Sequence, residues 1–294
     1  MSLNLFRRGR RAAHGHARLA LLFLLLPGLE AMAGTSRCAQ HYVDQRAPEI
    51  INRKLSVDAR ELCFSAFGVV HSGVTRTPLW SAEHLTRNAV EAAADLPRVD
   101  GFHPEEQLPR GQRAELSDYA RSGYDRGHMS PNKDMPTVDA QRESFSLANM
   151  VPQNPNNNRI LWEGIESAVR GLAKRDGDVY VITGPLFSGA SLDVLRGHVY
   201  VPTQLFKLVY DPRRQAAAVY LTPNGPGMAY QVISVAQLST MAGIDFLPAV
   251  SAQIKQTAMA LPAPRPHGES GGERHRSARN SDNNVFDNLR GLLR

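Results

Sequence analysis

The chain has 294 residues, 42% of them apolar, with 34 Lys+Arg against 28 Asp+Glu and two cysteines. That supply of apolar residues closes a sizeable core and excludes a wholly disordered chain. The net charge of +6 belongs to the two ends, since 23 basic and 23 acidic residues remain between Gly34 and Leu261, so overall basicity is no argument for a nucleic-acid partner.

In chain order, residues 1–33 read as an export signal. Arginines through Arg18 precede the apolar run Leu19 to Leu26, Pro27-Gly28 breaks it, and Ala31-Met32-Ala33 offers a small-x-small cleavage pattern. The run is far short of the roughly 20 residues that span a bilayer. The expectation is a mature form with no membrane attachment, periplasmic or secreted; an uncleaved anchor is the alternative. In an oxidising compartment Cys38 and Cys63 most simply form one disulfide, closing a loop worth roughly 3 kcal/mol, with two buried thiols as the other reading.

Leu62 to Val70 predicts a buried strand, and Ser81 to Ala94 a helix capped by Ser81. Leu96 to Gly123 is polar and turn-rich and reads as a long loop. Asn156 to Arg175 is the best helix, with Ile160, Ile165, Val169 and Leu172 near one face and Asp176-Gly177 ending it. Val179 to Thr183, Val199 to Val201, Leu205 to Tyr210 and Ala216 to Leu221 are strands, and Asp211 to Arg214 turns between the last two. Strands and helices without regular alternation predict an α+β fold around an antiparallel or mixed sheet. Proline, glycine and polar residues beyond Leu261 predict a disordered tail over 262–294, which leaves one domain over 34–261.

Two patches concentrate polar residues that a fold does not need. One is Tyr124 to Met129, which packs Asp125, Arg126 and His128 around Gly127, a residue that allows close backbone approach. The other is Asn149 to Asn158, where asparagines ahead of a helix also serve as caps and turns. His71, His84, His103 and His198 show no zinc-ligand spacing, and no glycine-rich phosphate loop is present, so zinc, nucleotide-triphosphate and dinucleotide chemistry have no support.

Asp125-Arg126-Gly127-His128 resembles the DRGH signature of the sugar-nonspecific DNA/RNA endonucleases of the ββα-metal group. Asn149, Gln153, Asn158, Trp162 and Glu166 follow that family's downstream spacing, and Val181 to Phe187 and His198 to Lys207 are similar to its central strands. The resemblance covers roughly Leu62 to Leu247. It implies a ββα-metal nuclease core and a hydrolase that cuts DNA and RNA through contacts to the phosphate backbone, leaving 5′-phosphate ends. It further implies His128 as general base and Asn158 as the direct ligand of Mg²⁺, with Mn²⁺ as a substitute.

Arg126 is then the phosphate clamp, Arg98 a second arginine at the scissile phosphate, and Glu166 a group that reaches the waters of the ion. Arg170 contacts the substrate backbone or pairs with a carboxylate. Asp125 orients the motif, Asn149 and Gln153 hold the metal shell and the loop, and Trp162 belongs to the core. Arg159-Ile160-Leu161 departs from the family's pattern and leaves open which of Asn156, Asn157 and Asn158 faces the ion. A homodimer is also left open. Two rivals remain: a metal-dependent phosphodiesterase acting on a non-polymeric substrate, and a catalytically silent nucleic-acid or protein-binding module. Degradation of long nucleic acid separates the first, and loss of turnover in a His128 variant separates the second.

Overall fold

Strands that are apolar at every position, and not only at alternate ones, must be covered on both faces. The computed structural model, which describes residues 36–99 and 101–266, has such a sheet at its centre. The chain divides into two units, Met1–Gly34 and Thr35–Arg294, and every described residue belongs to the second. The export signal expected over 1–33, and residues 267–294 of the expected tail, lie outside the described residues.

A short strand β1 (Glu49–Ile50) precedes β2 (Ala59–Cys63), β3 (Gly68–Ser72) and β4 (Thr77–Thr86). Then come α1 (Arg87–Ala94), α2 (Leu116–Tyr119), β5 (Asp125–His128), α3 (Val138–Ser144), β6 (Met150–Gln153) and α4 (Glu163–Asp176). The chain continues through β7 (Asp178–Leu186), the small hairpin β8 (Val194–Leu195) and β9 (Val199–Tyr200), β10 (Gln204–Asp211), β11 (Ala216–Pro223) and β12 (Gln231–Ile233). It closes with α5 (Val235–Ala242), β13 (Ile244–Asp245) and α6 (Ala252–Gln256).

Seven strands form one sheet in the order β12-β11-β10-β7-β4-β3-β2, antiparallel throughout. On one face Trp80, Phe206 and Leu208 pack with Val235 and Leu238 of α5 and with Phe246. On the other face Leu85, Val181, Leu205 and Val209 pack with Ile165, Val169 and Leu172 of α4. This is the expected α+β architecture, with the sheet antiparallel rather than mixed. β5 and β6 pair separately, and with α4 they make a strand–strand–helix unit lying on the α4 side of the large sheet.

The stretch predicted as a loop over 96–123 carries the short helix α2, and two further predicted elements are different in the structure. Leu62 to Val70 is not one strand but parts of β2 and β3 joined by a tight turn, closed by Phe64 N donating to Phe67 O at 2.9 Å. Ser81 to Ala94 is not one helix, because residues 81–86 pair one by one with 178–183 of β7. Sheet pairing overrides the helix propensity of Ala82 and Glu83 there, and the helix begins at Arg87 with the Thr86 hydroxyl accepting from Ala89 N at 3.1 Å.

The predicted helix over 156–175 is present as a π-helical turn, Asn157–Trp162, running into α4, and it stops at Gly177, whose φ of 103° only glycine adopts easily. Cys38 and Cys63 form a disulfide, with Cα atoms 5.2 Å apart, which ties the N-terminal segment to β2. Residues 262–266, placed in the tail by composition, lie against the domain. The Tyr220 hydroxyl donates to Pro262 O at 2.6 Å, and the Arg265 carbonyl sits over Gly164, where a Cβ would not fit. Among the described residues no helix is long and apolar enough to cross a membrane.

Candidate active site

A cleft of about 620 Å³ opens where β5 meets the start of α4, and Arg98, Asp125, Arg126, His128, Asn158 and Glu166 all line it. The backbone explains how residues so far apart in sequence meet. β5 and β6 pair antiparallel, with Asp125 opposite Gln153 and His128 opposite Met150, so β6 hands the chain directly to the asparagine-rich turn beside Asp125. Gly127 permits this, since a Cβ there would lie 2.6 Å from Gln153 Cβ and overlap its amide oxygen.

Asp125 organises the mouth of the cleft. Its carboxylate accepts from Asn158 Nδ2 at 2.9 Å and from Arg159 Nε and Nη2 at 2.8 and 2.7 Å. Partial burial would raise its pKa, but those hydrogen bonds and the arginine charge outweigh burial and hold it below the usual value. The Asn158 amide is thereby oriented, with Asp125 taking its nitrogen and, among the described residues, no hydrogen bond to its carbonyl oxygen. Arg159, the departure from the expected pattern, is the residue that clamps Asp125.

The His128 imidazole packs edge-on against Phe145 at 5.0 Å and tilted against Phe102 at 5.7 Å. The two arginines share those rings, with the Arg126 guanidinium 4.2 Å from the centroid of Phe102 and that of Arg98 5.4 Å from Phe145. Aromatic faces thus hold both cations and the imidazole in fixed positions at the cleft.

Beneath the cleft lies a buried charged layer. Lys207 on β10 is 1% exposed, donates to Thr183 Oγ1 at 2.8 Å and to the Met129 carbonyl at 3.2 Å, and sits 5.3 Å from the Trp162 ring. It ties down the backbone that immediately follows His128. Next to it, the Ser130 hydroxyl shares a hydrogen bond with Ser81 at 2.7 Å. Glu83, Asp134 and Glu166 are buried beside the cations Lys207 and Arg170. Burial pushes Glu166 up to about 7, against the pull of Lys207 and Arg170. Glu83 is raised well above its ordinary value by burial and then by Asp134, and its Oε1 is sealed from solvent with no hydrogen bond among the described residues. Three acids over two cations retain a proton more readily than an exposed set would.

Several expected roles need correction. Asn149 is buried away from the cleft and spends its whole amide on backbone: Ser130 N donates to its oxygen at 3.0 Å, and its nitrogen donates to Ser130 O and Ser144 O at 2.8 and 2.9 Å. It therefore holds the loop, with the hydrogen bonds of its amide going to the backbone of Ser130 and Ser144. Gln153 likewise faces inward, donating to Asn157 at 2.8 Å. Arg170 does not reach the cleft, because its guanidinium is held by Asp134 at 3.0 Å and its side chain is 12% exposed. The pairing alternative describes it, as burial of a cation demands a carboxylate.

The three asparagines are placed differently. Asn157 is buried and donates to Thr222 and Pro223, Asn156 accepts from Gly227 N, and only Asn158 lines the cleft. Glu166 is 8% exposed, so it is no solvated helix position, and Trp162 is core at 1%. His198 pairs with Asp118 and His84 with Asp178, both outside the cleft.

A divalent cation fits this donor set. Among the polar groups lining the cleft, the oxygen donors include the Asn158 amide and the carboxylates of Asp125, Glu163 and Glu166, all hard donors, and among the described residues no three His, Cys, Asp or Glu side chains cluster as a metal cage. A hard ion that keeps most of its own water suits such a site.

The sequence model of the DNA/RNA non-specific endonuclease family matches residues 47–253. The mitochondrial nuclease EXOG of Danio rerio is 35% identical over 199 residues, covering 60% of this chain and 58% of that protein. A nuclease of Nostoc sp. is 32% identical over 221 residues, covering 69% of this chain and 78% of the other. Among solved structures, an EndoG/EndoGI complex aligns with a TM-score of 0.61 and 27% identity, covering 69% of this chain and 90% of that one. The chain spans a little over half the length of the Danio rerio relative.

Proposed function

The chain belongs to the DNA/RNA non-specific endonuclease family, and on that premise we propose that it is an exported, Mg²⁺-dependent endonuclease that hydrolyses phosphodiester bonds of DNA and RNA with little sequence preference. The observation that carries this reading is the convergence of His128, Arg126, Asn158 and Glu166 on one cleft.

In the proposed reaction Arg126, with Arg98 beside it, grips non-bridging oxygens of the scissile phosphate through its forked guanidinium. Neutral His128 takes the proton of an attacking water; its ring is held by Phe102 and Phe145, and the backbone behind it by Lys207. Asn158, oriented by Asp125, would be the direct protein ligand of the cation, and ionised Glu166 would accept hydrogen bonds from the waters around it. A bound divalent ion supplies charge neutralisation at the phosphate and at the departing O3′. The products would carry 5′-phosphate and 3′-hydroxyl ends. Recognition through the backbone needs no base-reading side chains and makes binding sensitive to salt.

Purified protein should linearise and then degrade closed-circular plasmid, and degrade RNA, in Mg²⁺ but not in EDTA, with plasmid ends that a ligase reseals. Activity in excess chelator, or intact nucleic acid, would overturn the proposal. Export predicts a mature N-terminus near Gly34 by mass spectrometry of material recovered from the periplasm or medium.

A further inference from the structure

We propose that a second groove, opening off the catalytic cleft, binds the phosphates next to the scissile one along a nucleic-acid strand. This rests on the phosphodiesterase reading above and extends it from one phosphate to a path.

The groove has a volume of about 470 Å³ and runs between the end of α1 and the exposed side of α4. Arg98 and Lys133 line both it and the cleft, so the two are continuous. Its charged lining residues are Arg98, Lys133, Arg170 and Lys174, and none is acidic. Three carboxylates stand behind this wall: Asp134 at 3.0 Å from Arg170, Glu163 at 3.0 Å from Lys133 and 3.6 Å from Arg170, and Glu166 buried beside Arg170. Arg170 and Lys133 are thus held by carboxylates, and the exposed charge that the groove offers a strand beyond the cleft is that of Lys174.

The cations are also ordered along an element. Glu166, at the cleft, is followed on α4 by Arg170 and then Lys174, each one helical step of four residues and about 6 Å further on. Arg170, pinned by Asp134, is a fixed charge in the wall. Lys174 is exposed, forms no ion pair among the described residues, and its flexible ammonium can follow a phosphate. Val90 and Leu96 contribute an apolar floor against which a sugar face can lie. Point charges over an apolar floor hold a backbone without reading bases, as a nuclease of low sequence preference requires.

The test is binding of a fluorescein-labelled 20-nucleotide single strand by anisotropy, in EDTA so that nothing is cut, across a series of NaCl concentrations. Two variants are compared, Lys174→Glu and Lys54→Glu. Lys54 carries the same charge change but lies beside Leu55, which packs on the opposite face of the sheet. Both positions are exposed, and thermal melts establish that both variants fold.

The expected result is three- to tenfold weaker binding for Lys174→Glu. The slope of log affinity against log salt should also fall by about 0.7 for the lost phosphate contact, whereas Lys54→Glu keeps the wild-type slope. Equal slopes in all three proteins, or equal losses in both variants, would overturn the groove while leaving the cleft's function standing. A wild-type protein that neither binds nor cuts nucleic acid would overturn both.

Discussion

Replacing Glu166 by Gln removes the ionisable group that burial strains most clearly at the cleft. In the fold its carboxyl titrates at about 7 instead of 4.5, because it is enclosed and the nearby Lys207 and Arg170 only partly offset that burial. Between those two values the folded protein keeps a proton that the unfolded chain has shed. Folding stability therefore falls as pH rises through this window, and the penalty levels off above about 7. Lifting the carboxyl that far corresponds to about 3 kcal/mol. Glutamine mimics the protonated form and carries no such penalty.

Urea unfolding at pH 5 and pH 8, in chelator, should therefore show wild type losing about 2.5 kcal/mol more than Glu166→Gln between the two conditions, part of the penalty being present already at pH 5. Parallel stability curves for the two proteins would refute the claim that a buried, proton-retaining carboxyl lies under the cleft.

Lys207→Met keeps volume but removes the cation that holds the Met129 carbonyl and offsets Glu83 and Glu166. Thermal unfolding should show a loss of about 3 kcal/mol, with activity falling further than stability explains, and a wild-type melt would count against the buried layer. Gly127→Ala forces a methyl into Gln153, so the pairing of β5 with β6 must shift. Stability should drop by about 1–3 kcal/mol with loss of cleavage, and an active variant with an unchanged urea midpoint would contradict the close approach described.

The catalytic motif is legible in the sequence because it is local. Asp125 to His128 is a contiguous strand, and Asn158 and Glu166 are placed by a helix whose start and stop are written in Asn156 to Gly177. The Asp125–Asn158 contact was not legible, since strand pairing between β5 and β6 creates it. The partners of Asn149 and Gln153 were not legible either: an amide that bonds backbone, as Asn149 does, or a neighbouring side chain, as Gln153 does, looks the same in sequence as one that meets a ligand.

Glu83 was hidden because residues 81–86 suit a helix as well as a strand, and on a helix its charge would simply be solvated. Lys207 did leave a signal, as the one charge inside the apolar run Leu205 to Tyr210. A lysine at the centre of a strand covered on both faces must have partners, but only the fold shows that they are Thr183 and the carbonyl following His128.

Turnover of supercoiled plasmid by His128→Ala and Asn158→Ala, titrated with Mg²⁺, tests the mechanism most directly. His128→Ala should lose a factor of about 10² to 10⁴ in rate at every Mg²⁺ concentration, as expected for removal of a general base. Asn158→Ala should regain part of its rate as Mg²⁺ rises, as expected for a lost metal ligand. Near wild-type cleavage by His128→Ala, or identical Mg²⁺ dependence in Asn158→Ala and the wild type, would contradict the account.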